Sequence, residues 1–210
     1  MSIFFHEQLY RTPQLMAKIK ELPITICGVG ALGANLTENL ARTGFANLKI
    51  IDRDRIEDRN LSTQPYYRSD IGAFKAKILS NSLYRALGLK IEAQTKELNA
   101  ENAALLIGKP TLVIDTFDNS ISRQIVKEYC LETNLNCLHI GLATDYAEII
   151  WNQNYRIPSP INDDVCDYPL ARNIVLLAVA VASEIILKFA HQGTQNSLTI
   201  TLDDFTIQPF

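Results

Sequence analysis

The stretch Ile24-Thr-Ile-Cys-Gly-Val-Gly-Ala-Leu-Gly-Ala-Asn35 constrains this chain more than any other. A short apolar run ends in Gly28-Val-Gly30-Ala-Leu-Gly33, and a helical pattern follows. A second apolar run, Leu48-Lys-Ile-Ile51, then closes on Asp52. The order is strand, glycine turn, helix, strand, acid. Gly28 permits the tight turn, Gly30 lets a phosphate approach the backbone, and Gly33 lets the helix pack closely on the strand. The free N–H groups and positive dipole end of that helix favour an anion. Asp52, about 20 residues on, can accept a hydrogen bond from a ribose hydroxyl. The competing reading is a glycine turn that serves packing alone.

The rest of the chain extends the same alternation. Residues 5–21 predict an amphipathic helix or helix pair broken at Thr12-Pro13, a helix-start signal. Strands are expected at about 24–27, 47–51, 91–96, 112–115 and 137–141, with helices at about 31–43, 73–86, 100–107 and 120–131. Asn119 is a plausible N-cap of the last of these helices. Later come alternating strands at about 147–151 and 197–202, around a long apolar helix at 173–190. Residues 52–70 and 152–172 read as loops. Strands alternating with helices imply a doubly wound α/β fold of the Rossmann kind. Its sheet is mostly parallel with an antiparallel edge, and helices cover both faces. The division expected is an N-terminal helical segment, 1–22, and one nucleotide-binding domain, 23–210.

Composition excludes more than it assigns. The formal net charge of -3 gives no electrostatic footprint for nucleic acid. The four cysteines, Cys27, Cys130, Cys137 and Cys166, show no paired spacing, so reduced thiols in a cytoplasmic protein are expected. The N-terminus has no basic flank or long apolar core of a signal peptide. The apolar run at 174–190 contains Ser183, Glu184 and Lys188, and falls short of the roughly 20 apolar residues of a span. It is expected to lie buried against the sheet, with no membrane role.

In open sheets of this kind ligands sit at the carboxyl ends of the strands. That places Gly28–Gly33, Asp52, the run Asp115-Thr-Phe-Asp118-Asn119 and Gly141 along one rim. Magnesium takes oxygen ligands, usually one or two carboxylates plus the substrate's phosphates. Asp118 is the first candidate ligand, against the plainer reading that Asp118 and Asn119 only cap a helix. Lys75 stands at a helix start, where a lysine can reach a phosphate, although a solvated surface lysine is the plainer reading for it and for Lys77. Arg68, Arg123 and Asn60 are further candidates for phosphate or carboxylate contact, although a structural role is the plainer reading for each taken alone. Cys166 is flanked by Asp163, Asp164 and Asp167, surroundings that disfavour a thiolate. His6 and His139 have no partner visible in the sequence.

Taken in order, these pieces resemble a known family. They are Gly28-Val-Gly-Ala-Leu-Gly33, Asp52-Arg-Asp54, Asn60-Leu-Ser-Thr-Gln64, Tyr67-Arg68, Asp70-Ile-Gly72 with Lys75-Ala76, and Asp115-Thr-Phe-Asp118-Asn119 with Arg123 downstream. The chain is similar, from about residue 20 onward, to the ThiF/MoeB/HesA family, bacterial relatives of the ubiquitin-activating enzyme. The resemblance implies an adenylyltransferase that binds Mg-ATP. Its substrate would be the C-terminal carboxylate of a ubiquitin-like sulfur-carrier protein ending in Gly-Gly, or a peptide. It implies a homodimer. It implies that Gly28, Gly30, Gly33, Asp52, Asp54, Asn60, Gln64 and Lys75 contact the nucleotide. It further implies that Lys75, Asp118 and Arg68 form the catalytic set and that Asp118 binds magnesium.

Several positions depart from the family pattern. Thr63 stands where the family's N-L-x-R-Q block has arginine. Phe4-Phe-His-Glu7-Gln8 aligns with an R-[YF]-x-R-Q segment and lacks both arginines; Arg11 is the substitute if the N-terminal helix swaps across a dimer. The paired CxxC motifs of many members are absent, so no zinc is expected. The segment between Gly141 and Asn173 is shorter than the family's crossover region, and Cys166 sits roughly where some members carry a sulfur-handling cysteine. The alternatives are a degenerate nucleotide-binding partner without adenylation activity and an NAD-dependent oxidoreductase.

Overall fold

The computed structural model describes residues 2–157 and 169–210; Cys166 and most of the expected 152–172 loop lie outside them. The N-terminal segment is a helix pair, α1 (Phe5–Tyr10) and α2 (Pro13–Glu21). The Thr12 hydroxyl caps α2 by accepting from the Leu15 N–H at 3.2 Å, with Pro13 at the position where its missing donor costs nothing. Then follow β1 (Ile24–Cys27), α3 (Ala31–Thr43), β2 (Leu48–Ile51), α4 (Lys75–Leu87), β3 (Glu92–Gln94), α5 (Ala103–Leu106), β4 (Leu112–Asp115), α6 (Ser120–Glu132) and β5 (Asn136–Ala143). The chain closes with β6 (Tyr146–Trp151), α7 (Arg172–Gln192), β7 (Leu198–Thr201) and β8 (Thr206–Pro209).

The strands form one sheet in the order β3-β2-β1-β4-β5-β6-β7-β8. The first five run parallel, and the pairs β5–β6, β6–β7 and β7–β8 are antiparallel. β1 and β4 are buried at every residue, as strands covered on both faces must be. One face packs against α2, α3, α4 and α7, the other against α5 and α6, giving two cores. The expected doubly wound sheet with an antiparallel edge is therefore the observed one.

Two details differ from expectation. β8 was not expected, because all its residues are exposed and it ends on Pro209, so no hydrophobic alternation marks it. Helix α7 runs for 21 residues and contains an 18-residue stretch with a mean hydropathy of 2.0, long and apolar enough to cross a membrane by length and composition. The length criterion therefore does not set it apart from a span, but its packing does. Ile174, Val175, Ala178, Ala182 and Ile186 are fully buried, and Asn39 of α3 donates to the Ser183 hydroxyl at 2.8 Å. In this fold it is a core helix.

Candidate functional site

The winding direction reverses between β1 and β4: the chain goes outward from β1 to β3, then returns past β1 to begin β4. A crevice opens at the carboxyl ends of strands at such a switch point. Register fixes what surrounds it. Cys27, the last residue of β1, lies opposite both Ile51 of β2 and Asp115 of β4. The glycine turn, Asp52 and the loop after Asp115 therefore leave the sheet at one level, as expected.

The turn is stitched on both sides. The Gly28 N–H donates to Ile51 O at 2.8 Å, the Thr116 N–H to Cys27 O at 2.9 Å, and the Thr116 hydroxyl to Gly28 O at 2.8 Å. Gly28 has φ +88°, the left-handed region that disfavours a side chain. At Gly33 a Cβ would lie 1.9 Å from the Gly28 carbonyl oxygen, so only glycine lets α3 dock onto the turn. Gly30 is different, since a Cβ there meets nothing within 4 Å. As N-cap of α3 it offers no side-chain cap. The N–H groups of the first turn, for which no helix carbonyl is available, favour an anion.

Beside the turn lies a hydrogen-bonded group of acids and one cation. Asp52 is buried and accepts from the Val29 N–H at 2.7 Å and the Asp54 N–H at 2.7 Å. Burial pushes its carboxyl above the ordinary value, against the opposing pull of the Lys75 charge and the Val29 N–H. Tyr66 donates its hydroxyl to Val29 O at 2.9 Å, bracing the turn from the opposite side. Lys75 is buried at the first residue of α4, with its ammonium 3.2 Å from the Asp54 carboxylate. The solvated-lysine reading thus fails for Lys75 and holds for the exposed Lys77.

Asn60, Gln64 and Arg68 sit on the segment that follows, ordered by two short 3-10 turns at Asp58–Asn60 and Arg68–Asp70. Asn60 turns its side chain back to accept from the Glu57 N–H at 2.9 Å. Gln64 is buried, and its Oε1 accepts no hydrogen bond among the described residues. Arg68 is exposed and has no ion pair among the described residues. Asn35 of α3 donates to Thr63 O at 2.8 Å, tying this segment to the helix that starts at the turn. An open cavity of about 710 Å³ is lined by Gln64, Tyr66, Asp70, Arg42 and Arg172, and no residue of the glycine turn lines it.

The loop after β4 divides the two carboxylates expected there. Asp118 is exposed and makes no hydrogen bond or ion pair among the described residues. Asn119 caps α6, accepting from the Ser122 N–H at 2.8 Å. Asp115 is fully buried, hydrogen-bonded to His139 Nδ1 at 2.8 Å and 3.6 Å from Arg123 Nη1, so it is withdrawn from any metal. Desolvation raises its pKa, and the Arg123 charge and His139 hydrogen bond more than reverse that, leaving it below the ordinary value. Arg123 takes the structural reading of its two: it is buried, donating to Tyr155 Oη and Ile140 O, both at 2.9 Å. Asn152 and Tyr155 were missed in sequence because they join this cluster only after β5 and β6 pair; His139 in an apolar strand was its one signal.

An ion that arrives with a nucleotide fits this set, since magnesium needs one or two protein carboxylates and Asp118 supplies one. Arg11, the substitute for the missing arginines, is committed elsewhere: its guanidinium is 2.6 Å from Glu7 and 2.7 Å from Glu184 of the same chain. Thr63 is buried. Cys27, Cys130 and Cys137 are buried free thiols.

Comparison with known proteins follows the same lines. The sulfur carrier protein ThiS adenylyltransferase of Bacillus subtilis is 32% identical over 144 residues, covering 64% of this chain and 41% of that protein. The tRNA threonylcarbamoyladenosine dehydratase 1 of Saccharomyces cerevisiae is 33% identical over 152 residues, 67% of this chain and 35% of that protein. The chain thus spans less than half the length of these curated relatives. The crystal structure of E. coli MccB with ATP shares the fold, with a TM-score of 0.82 at 19% identity over 100% of this chain and 71% of that one. A family model described as ThiF family matches residues 6–154, and this chain belongs to the ThiF family.

Proposed function

We propose that this protein is an ATP-dependent adenylyltransferase that activates the C-terminal carboxylate of a ubiquitin-like sulfur-carrier protein or a peptide. The observation that carries this reading is the pairing of an open glycine turn with a buried lysine. Gly30 leaves free space over the first turn of α3, and Lys75 holds a buried positive charge at the start of α4. In the reaction a carboxylate oxygen displaces pyrophosphate from the α-phosphate of ATP. The protein's contribution is position and charge neutralisation. Gly28, Gly30 and Gly33 shape the phosphate cradle, and Asp52 and Asp54 stand at the ribose side. Family resemblance assigns Asn60, Gln64 and Arg68, on the neighbouring segment, to the phosphates, and Lys75 to the charge that develops. Asp118 would hold a magnesium ion together with the phosphates, and the ion would add further neutralisation when bound. The reduced state of Cys27, Cys130 and Cys137 suits a cytoplasmic location, and family resemblance favours a homodimer.

ATP–pyrophosphate exchange tests this, run with a panel of small carriers ending in Gly-Gly and of peptides. Exchange that depends on one of them is expected. Binding of ATP with no exchange across the panel would instead favour a degenerate nucleotide-binding partner. The engagement of Arg11 by Glu7 and Glu184 supports that second reading, because it leaves no spare arginine in the N-terminal segment for a phosphate.

A further inference from the structure

Beneath the rim, on the face covered by α6, lies a buried polar cluster that the proposed reaction does not use. His139 of β5 is at its centre and is fully buried. Its Nδ1 is 2.8 Å from Asp115 Oδ2 and its Nε2 is 2.7 Å from Asn152 Oδ1. The ring stacks on Tyr155 with centroids 3.8 Å apart and planes 10° from parallel. Tyr155 is held in turn by Arg123, which donates to its hydroxyl at 2.9 Å, and by Lys127, which donates to its carbonyl at 2.7 Å. Glu148 of β6, opposite Gly141, is the half-buried acid that faces this group.

Such a cluster is expensive to bury, and an apolar core of the same volume would serve stability as well or better. Its placement explains why it is polar. Asp115 receives the His139 Nδ1–H on one carboxylate oxygen and the Phe117 N–H, at 3.1 Å, on the other. Between them, Thr116 is bonded to Cys27 O and Gly28 O. The Phe117 ring lies against Gly28, 3.1 Å from where a Cβ would stand. One chain of contacts thus runs from His139 through Asp115 and the 116–117 backbone to the glycine turn and to the residue before Asp118.

We propose that His139 is a positioning residue for the nucleotide site: by bracing Asp115 it fixes the loop that carries Asp118 and backs the glycine turn. This rests on the site reading above. Outer partners that orient a ligand-bearing group typically change metal affinity or activity by 10–100-fold when removed. An asparagine at 139 places an amide N–H near the position of Nδ1 and keeps the bond to Asp115. A glutamine reaches the Nε2 position and loses that bond.

The test is calorimetric titration of the full chain with Mg-ATP, for wild type, His139→Asn and His139→Gln, with thermal melting of each. The expected result is an affinity about tenfold weaker for H139Q and within about threefold of wild type for H139N, even where both melt at similarly lowered temperatures. Equal affinities for all three, or equal losses in both variants, overturn the proposal, since a merely structural histidine does not separate the two amides. If H139Q does not fold, the His139 ring N–H resonance of the wild type is followed on adding Mg-ATP; a shift supports the proposal and an unmoved resonance overturns it. Pyrophosphate exchange is scored separately. Wild-type binding without exchange removes the adenylation reading and leaves the affinity comparison to decide the role of His139. Absence of Mg-ATP binding by the wild type removes both.

Discussion

A Cβ on Gly33 would stand 1.9 Å from the carbonyl oxygen of Gly28, whereas one on Gly30 would touch nothing within 4 Å. The two glycines therefore answer to different forces. Gly33→Ala is expected to destabilise the fold by more than the 1–3 kcal/mol usual for overpacking, because the clash is with backbone. Gly30→Ala is expected to leave the melting temperature nearly unchanged and to weaken ATP binding about tenfold or more, since its methyl occupies the space left for a phosphate. Thermal unfolding and calorimetric titration of the two variants separate these outcomes. Equal destabilisation by both would mean that the turn serves packing alone.

Lys75 is buried with its ammonium 3.2 Å from Asp54, whose own side chain is half exposed. Lys75→Met keeps the apolar stem and removes the charge. Loss of one preorganised donor to a developing charge costs on the order of 10²–10³ in rate. Pyrophosphate exchange is expected to fall by about that factor while the protein stays folded by circular dichroism. Removing this charge also takes away the Lys75 contribution that lowers the Asp52 pKa, so the Asp52 carboxyl is expected to rise further.

Stability should vary with pH in two opposed ways. The Asp115 pKa is lowered in the folded state: burial raises it, but the Arg123 charge and the His139 hydrogen bond prevail. Its contribution is therefore fully present above the ordinary carboxylate value of about 3.9 and is lost as pH falls through the folded value. Asp52 and Glu148 have raised pKa values, chiefly from desolvation. In the window between their unfolded and folded values the native state binds more protons, so their contribution falls as pH rises. Asp115→Asn is expected to be most damaging near neutrality, its melting deficit narrowing in strong acid. Glu148→Gln is expected to gain on wild type as pH rises through the weakly acidic range. Calorimetric melting from pH 3 to 8 reads both.

The parts of the fold carried by local chemistry were legible before the structure. Thr12-Pro13, Gly44 and Gly88 mark helix ends by side-chain capping or left-handed backbone. β1 and β4 are short, mostly apolar runs without period-two alternation, as strands covered on both faces are expected to be. The glycine turn and Asp52 declared themselves by spacing, and the structure joins them through the Val29 N–H. The parts set by long-range pairing were not legible. Asp115 looks like a rim carboxylate until β4 pairs with β5 and brings His139 beside it. Arg123 looks like a phosphate contact until α6 turns it under the sheet toward Tyr155. Exposed β8 carries no apolar signal at all.

Asp118 is exposed and unpaired among the described residues, so its side chain contributes little to holding the fold. Its neighbour three residues earlier is the reverse: Asp115 is fully buried and bonded to His139 and Phe117. The same loop therefore carries one uncommitted, exposed carboxylate and one structural one, and substitution should tell their roles apart. Asp118→Asn is expected to melt like wild type, within the roughly ±0.5 kcal/mol typical of surface changes. It is also expected to need about 10–100-fold more magnesium for half-maximal pyrophosphate exchange, the scale seen when metal sites lose support. Asp115→Asn is expected to lose stability strongly, by about 3–5 kcal/mol, because Arg123 is left buried without its partner. The measurement is exchange rate against magnesium concentration, paired with denaturant unfolding of each variant. An unchanged magnesium requirement in a fully folded Asp118→Asn protein would take Asp118 out of the ligand set and leave it a solvated surface carboxylate beside the Asn119 cap.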